Sequence, residues 1–345
     1  MSFDVEIGQA SERGPRALNE DFAAVRRHAP GDESRGLIAA IADGVSAGGE
    51  GRMAAQTSVL SLVEDYFGAP DTWDTTVVLD RVISAHNTWL VAHNRRAEAS
   101  AMTTLTALAL RGQSWTLAHV GDTRAYLLRA GELRRLTQDH AFDHPDLRNR
   151  LTRAVGLDDA VHVDYLQGDL QIGDVFLLVS DGVHGPLKDA RLQALAGPAA
   201  AQQPAQTAAD ALVQAALAAG ASDNATALVL RVLGLTRLQL ADAAALARQL
   251  PVPRRLNVGD VIDGLVVTAR VADTGVHVLY QVREPGSGAL KALKTLHPSR
   301  AGDPQERAML AHEAWLSERV TEHVEDGFVR LTRHAGATEC QSYSR

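Results

Sequence analysis

Runs and alternations of apolar residues divide the chain into recognisable segments. Phe3-Asp4-Val5-Glu6-Ile7-Gly8 alternates, the period of a half-buried strand, and Arg16 to Asp21 is a polar loop. Leu37-Ile38-Ala39-Ala40-Ile41-Ala42 is six apolar residues in succession, the pattern of a strand covered on both faces, and it stops abruptly at Asp43-Gly44. After a flexible loop, Ser46 to Gly51, the period becomes helical from Arg52 to Phe67, with Met53, Val59, Leu60, Leu62 and Val63 as a broad stripe. A second amphipathic helix is predicted from Thr76 to Asn94, with Val78, Val82, Ile83 and Leu90 on one side. From Met102 the runs shorten: Thr103–Leu110, Trp115–Val120 and Arg124–Leu128, broken by Gly112 and Gly121-Asp122, predict a meander of antiparallel strands. A polar stretch from Thr137 to Asp164 precedes Asp174–Val179, a second buried run, which ends in Ser180-Asp181-Gly182. Thr207–Ala219 is an alanine-rich helix stopped by Gly220. Ser222-Asp223-Asn224-Ala225-Thr226 then leads into a strand, Ala227–Val232.

The pattern changes after Leu235. Leu238–Leu250 is helical, Pro251-Val252-Pro253-Arg254-Arg255 is a stiffened linker, and a new domain begins near Val258. Strands are predicted at Leu265–Val271, Val276–Arg283 and Ala289–Leu296, with a turn at Pro285–Gly288 and a helix around Leu310–Leu316. The division is therefore 1–235, a helix and proline-containing linker at 236–257, and 258–345. A chain of 345 residues accommodates one large and one small domain.

Composition narrows the function. Apolar residues make up 46 % and charged residues 22 %, ordinary for a globular protein, and the net charge of −8 argues against a nucleic-acid binder. The one cysteine, Cys340, allows neither a disulfide framework nor a thiolate metal site, which fits a reducing compartment. Met1–Ala10 has no apolar h-region and no stretch reaches membrane-spanning length, so the expectation is a soluble, cytoplasmic protein without a membrane segment.

The candidate chemistry lies in acids at strand edges. Asp43 and Asp181 each end a buried strand and precede a glycine, Asp223 precedes a buried strand, and Asp122 sits in a turn between two strands. Carboxylates and a backbone carbonyl are hard oxygen donors that suit Mg²⁺ or Mn²⁺ better than Zn²⁺. If these acids converge, their repulsion at low dielectric requires a cation between them. His119 and His140 are read as hydrogen-bonded structural residues. The acids of Asp158-Asp159 and Glu64-Asp65 are read as solvated faces.

Taken in order, Arg16-x-x-Asn19-Glu20-Asp21, Ala42-Asp43-Gly44, Val120-Gly121-Asp122-Thr123-Arg124-Ala125-Tyr126, Leu136-Thr137-x-Asp139-His140, Ser180-Asp181-Gly182 and Ser222-Asp223-Asn224-Ala225-Thr226 resemble the motifs of the metal-dependent PP2C-type (PPM) serine/threonine phosphatases. The resemblance spans about residues 5–233. It implies an α+β fold, a four-layer α-β-β-α sandwich, where alternation alone says only "β-rich with helices". It further implies a binuclear Mn²⁺ or Mg²⁺ centre. Asp43 would bridge the metals, the Gly44 carbonyl would complete one of them, Asp181 and Asp223 would hold one metal, and Asp21 would serve the other. Asp122 with Asp181 matches a third, weaker metal position, and Arg16 matches the phosphate-binding arginine. The implied reaction is attack by metal-activated water on phosphoserine or phosphothreonine in a phosphorylated protein, with a cognate Ser/Thr kinase as a further partner. Two departures stand out: Val45 occupies the place of a histidine proposed as general acid in some members, and Ala101-Met102-Thr103-Thr104-Leu105 replaces a Gly-Ser-Thr-Ala segment, keeping only a hydroxyl.

The C-terminal segment is similar to the N-terminal lobe of a protein kinase, incomplete in this chain. Lys294, in Ala289–Leu296, matches the strand lysine, and Glu313, nineteen residues on, matches its helix partner. The glycine-rich loop would fall at Val271–Val276 with one glycine, and no His-Arg-Asp or Asp-Phe-Gly follows before Arg345, so this part is expected to be inactive. Two other readings stay open at this point. One is a non-catalytic regulator that binds phosphoproteins, and the other is a bifunctional phosphatase/kinase whose chain continues past Arg345.

Overall fold

The apolar run at 37–42 forms the core of a strand, β3 (Leu37–Asp43), whose six apolar side chains are completely buried. Strands bury both faces only between two layers, and this one does. Leu37, Ala39 and Ile41 pack with Phe176, Leu228 and Leu230 of a facing sheet, while Ile38, Ala40 and Ala42 pack under helices. The computed structural model describes residues 3–28, 35–45, 49–70, 73–97, 100–142, 150–197, 203–235, 251–321, 330–332 and 340–344. It divides into two compact units, Met1–Arg237 and Leu238–Arg345.

In the first unit the strands are β1 (Asp4–Glu12), β2 (Asp21–Arg27), β3, β4 (Leu105–Arg111), β5 (Ser114–Val120), β6 (Arg124–Arg129), β7 (Glu132–Arg135), β8 (Asp164–Asp169), β9 (Val175–Val179) and β10 (Ala225–Gly234). They make two five-stranded antiparallel sheets, ordered β2-β3-β4-β5-β8 and β1-β10-β9-β6-β7. Helices α1 (Gly51–Gly68) and α2 (Thr75–Ala97) cover the outer face of the first sheet through Ala54, Val59, Leu62, Leu79 and Leu90. A single-turn helix α3 (Asp181–His184) follows β9. Helices α4 (Asp189–Ala196) and α5 (Ala205–Ala218) cover the second sheet through Leu192, Ala209, Leu212 and Val213. The order of layers is thus helix, sheet, sheet, helix. Each buried Leu, Ile or Val across these three apolar layers contributes on the order of 1.5–3 kcal/mol.

Three sequence expectations need correction. The segments from 103 to 128 are not one meander: β4 and β5 pair as a hairpin, but β6 leaves for the other sheet, where it lies between β9 and β7. The exit is made at Gly121, whose φ of +106° and whose hypothetical Cβ, 2.5 Å from the Thr104 side chain, exclude other residues. The polar loop before Asp21 is followed directly by strand β2, which pairs with β3 so that Asp21 stands opposite Asp43. Alternation missed it because the segment is short, only partly buried and ends in two arginines. Leu60, placed on the apolar stripe, is 42 % exposed, and the helix buries Tyr66 in addition.

The second unit is an antiparallel sheet ordered β11-β12-β13-β14-β16-β15, from β11 (Val261–Ile262), β12 (Leu265–Asp273), β13 (His277–Arg283), β14 (Leu290–Leu296), β15 (Arg330–Thr332) and β16 (Cys340–Ser344). A helix, α6 (Pro304–Thr321), follows β14. Its core is Leu256, Ile262, Leu265, Val267, Val278, Tyr280, Val282 and Leu293. The Tyr280 hydroxyl accepts the Leu256 N–H at 3.1 Å, which ties the linker's last residues to the sheet. The segment proposed as a glycine-rich loop is a tight hairpin turn, with Thr274 N–H donating to the His277 carbonyl at 3.0 Å. The helix expected at 238–250 lies outside the described residues.

Candidate metal centre

Asp43 is aimed by the backbone around it. Its N–H donates to Thr104 Oγ1 at 2.8 Å, while its carbonyl accepts the Thr104 N–H and the Thr103 hydroxyl, both at 2.9 Å. With both main-chain groups occupied, the side chain is left to face the cavity. This is the work done by Thr103 and Thr104, in the segment that sequence reading credited with only a hydroxyl. Gly44 follows, with its N–H on the Glu20 carbonyl at 3.2 Å. A Cβ there would lie 2.2 Å from the Gly51 carbonyl oxygen, so only glycine lets the start of α1 close against this turn.

Asp21, at the start of β2, is buried. Its Oδ2 accepts the Ser180 hydroxyl at 2.7 Å, while its Oδ1 makes no hydrogen bond among the described residues. Ser180 in turn accepts the Thr226 N–H at 3.0 Å, so β9 and β10 of one sheet hold an acid of the other. Asp181, the first residue of α3, also has a buried Oδ1 without a hydrogen bond among the described residues. Asp223 Oδ1 accepts the Asn224 N–H at 2.8 Å, and its Oδ2 takes the Arg16 Nη2 at 2.5 Å. Arg16 Nε also donates to the Ser222 carbonyl at 3.2 Å. Asp122 lies where the chain crosses between sheets, its carbonyl accepting His184 Nε2 at 2.9 Å.

Asn224 is the positioning residue that sequence reading did not single out. Its Oδ1 accepts the Glu20 N–H at 2.8 Å, and its Nδ2 donates to the carbonyls of Arg13 at 2.8 Å and Leu18 at 2.9 Å. It thereby fixes both ends of the loop that carries Arg16 into β2. These partners are about two hundred residues away in sequence, so no local pattern marks them.

All seven residues proposed for the phosphatase site converge at one end of the sandwich. Asp43, Gly44, Asp122, Asp181, Asp223 and Arg16 line a cavity of about 450 Å³, and Asp21 is hydrogen-bonded at its edge through Ser180. A wider groove of about 1060 Å³ shares Arg16, Asp122, Asp181 and Asp223 with it. Burial, then the charges of neighbouring acids, pushes Asp122 up to about 7 and Asp43 well above the usual carboxylate range. Asp21 is likewise pushed up to about 7 by burial, against the pull of the Thr226 and Ser180 hydroxyls. Asp181 is raised by burial and by Asp223. Four acids raised together, two buried carboxylate oxygens without hydrogen bonds and an all-oxygen donor set fit hard divalent cations, whose charge would remove the repulsion. Among the described residues no three such side chains are placed around a single point.

The histidines have other tasks. His119 bonds Thr106 Oγ1 through Nδ1 at 2.9 Å and the Gln138 carbonyl through Nε2 at 3.0 Å, and burial pushes it down to about 4. His140 Nδ1 accepts the Gly121 N–H at 3.1 Å, leaving Nε2 to face Asp164 at 3.0 Å. Both brace the Gly121 crossover. Lys294 and Glu313 belong to the second unit, where Lys294 Nζ on β14 meets Glu313 Oε2 on α6 at 2.5 Å.

A family profile described as Protein phosphatase 2C matches residues 10–219. The chain belongs to the protein phosphatase 2C family. The serine/threonine protein phosphatase PstP of Mycobacterium tuberculosis is 32 % identical over 241 residues, which cover 64 % of this chain and 43 % of PstP. The chain therefore spans less than half the length of that curated relative. The serine/threonine phosphatase stp of Listeria innocua is 27 % identical, over 62 % of this chain and 90 % of its own length. The crystal structure of the Mycobacterium tuberculosis PstP/Ppp phosphatase aligns with a TM-score of 0.57 at 28 % identity, over 67 % of this chain and 99 % of that one. A structure of the PstP catalytic domain in complex with two manganese ions aligns over the same shares at 28 % identity, with a TM-score of 0.56. The four-layer arrangement is thus the protein phosphatase 2C fold. Among the described residues no helix is long and apolar enough to cross a membrane.

Proposed function

We propose that residues 1–235 are a protein-serine/threonine phosphatase that hydrolyses phosphoserine and phosphothreonine in proteins with Mn²⁺ or Mg²⁺. The observation that carries this reading is the convergence of Asp21, Asp43, Asp122, Asp181 and Asp223 with Arg16 at one end of the sandwich. Asp21, Asp43 with the Gly44 carbonyl, Asp181 and Asp223 would hold two cations, and Asp122 with Asp181 a third. When bound, such ions supply an activated water and neutralise phosphoryl charge. Arg16, about half exposed, turns its fork of donors from Asp223 and the Ser222 carbonyl to the phosphoryl oxygens. Thr103, Thr104, Ser180 and Asn224 hold the acids and the Arg16 loop in place. Val45 offers no proton, so this loop position contributes none to the leaving group.

Hydrolysis of a phosphothreonine peptide and of an aryl phosphate should appear with Mn²⁺ and vanish on chelation. Replacing Asp43 or Asp181 by alanine should lower turnover by at least ~10³-fold, the scale of losing a reaction's charge-stabilising groups. Activity that survives chelation, or wild-type rates in either variant, would refute the assignment. Phosphopeptide binding without any turnover would mark a non-catalytic phosphoprotein-binding module instead.

We also infer that 236–257 connects two domains and that 258–345 is built like the N-terminal lobe of a protein kinase. The Lys294–Glu313 pair between a strand and the following helix supports this. Reading the gene beyond Arg345 for a catalytic loop tests it, and such a loop would make the product a phosphatase/kinase. The partners that fit are phosphorylated proteins and a cognate Ser/Thr kinase. The net charge of −8 speaks against nucleic acid, and the single cysteine fits the cytoplasm.

A further inference from the structure

The 1060 Å³ groove does not end at the acids. Beyond Arg16, Asp122, Asp181 and Asp223 it runs over Arg124, Arg135, Gln138, Asp139 and Phe142. Arg124 gives Nε and Nη2 to Asp139 at 3.0 and 2.7 Å, and Arg135 Nη2 also binds Asp139. Two guanidinium groups thus share one carboxylate, leaving one positive charge in the groove wall that Asp139 does not balance. The nearby Asp189 accepts the Tyr126 hydroxyl at 3.3 Å but does not line the groove. Arg135 Nε is buried without a hydrogen bond among the described residues, while its side chain remains 31 % exposed. Arg124 is largely spent, with Nη1 3.5 Å from Tyr126 Oη, so among the described residues the guanidinium with donors left over is that of Arg135.

Spacing connects this charge to the acid cavity. Arg124 begins β6 two residues after Asp122, about 7 Å along an extended chain. An extended peptide whose phosphoryl group lies between Arg16 and Asp122 carries its neighbouring side chains past the arginines at the same rise per residue. We propose that Arg135, supported by Arg124, is an anion subsite that recognises an acidic side chain within three residues of the phosphorylated residue of the substrate. Phe142, 46 % exposed on the same groove, offers an apolar surface beside it. The inference rests on the phosphatase reading and assigns it a substrate class: phosphosites in acidic surroundings.

The test uses the full chain with Mn²⁺ and fluorescent peptides carrying a non-hydrolysable phosphonate in place of phosphothreonine. The residue is flanked by Glu, Gln or Lys in otherwise identical sequences, and binding is followed by anisotropy. The Glu peptide should bind about fivefold tighter than the Gln peptide and the Lys peptide weaker still, a difference that flattens at high salt. Arg135→Gln should bring Glu and Gln together, Arg135→Glu should favour Lys, and Arg135→Lys should keep the original order. Equal binding of Glu and Gln peptides by the wild type, or an unchanged preference in folded Arg135→Glu, would overturn the proposal. Hydrolysis of the matching phosphate peptides is measured in parallel. A Glu preference in binding with no hydrolysis would sink the phosphatase reading and leave the subsite standing.

Discussion

At the scale of single residues, the site depends on hydroxyl and amide groups that carry no charge themselves. Ser180 is completely buried and its one proton is committed to Asp21, so it decides which oxygen of that acid is left free. Groups that orient ligands in this way commonly account for 10–100-fold in metal affinity. Ser180→Ala should therefore weaken Mn²⁺ binding by at least ~10-fold in calorimetric titration, with Ser180→Thr, which keeps the hydroxyl, within a few-fold of wild type. An unchanged Mn²⁺ isotherm in Ser180→Ala would remove Ser180 from the site. Asp43 and Asp181 were legible in the sequence because each interrupts an apolar run before a glycine, whereas Asp21 entered only through the family resemblance. Ser180, Thr104 and Asn224 were legible only as members of motifs. Their partners lie 159, 61 and 204 residues away, and only the folded chain says which hydroxyl meets which acid.

At the scale of elements, burial on both faces made β3 and β9 readable, since a short apolar run rich in β-branched and aromatic residues and closed by Asp-Gly fits a central strand better than a helix. The same period could not say that β6 joins the other sheet. Alternation reports which face is covered but not which neighbour is paired. The decision is taken at Gly121, where the backbone enters the left-handed region against Thr104. Gly121→Ala should cost about 2 kcal/mol or more, the sum of a strained backbone and an overpacked contact. Urea unfolding followed by circular dichroism measures it, and a loss below ~0.5 kcal/mol would mean that the turn relaxes freely. In the second unit the strand pattern was close to the observed β12–β14, and Lys294 and Glu313, paired in the sequence only through a resemblance, lie in contact.

At the scale of the whole first unit, the raised acids leave a signature in stability. A carboxyl with a folded pKa near 7 and an unfolded value near 3.9 binds its proton more tightly when folded. Such groups lose stability as pH rises through that interval. His86, His119 and His184, pushed down to about 4 by burial, act in the opposite sense up to about pH 6.5 and offset the acids there. Above about pH 6.5 the acids are unopposed. The metal-free chain should show a melting temperature that falls between about pH 6.5 and 8, and Mn²⁺ should raise it most at the upper end. Scanning fluorimetry with chelator or Mn²⁺ across that range checks it, and a flat metal-free profile would contradict the raised carboxyls.

The chain's crossing between sheets at Gly121-Asp122-Thr123 has a consequence for time as well as shape. Asp21 and Asp43 are carried by one sheet and Asp181 and Asp223 by the other, so neither sheet alone can assemble the cavity. The site is complete only when the two sheets are closed on each other, and it is lost when they part. A cation bound there would act as a clasp across the sandwich. It would lengthen the life of the closed state, and to the extent that its contacts are absent from the folding transition state it would leave the folding rate untouched.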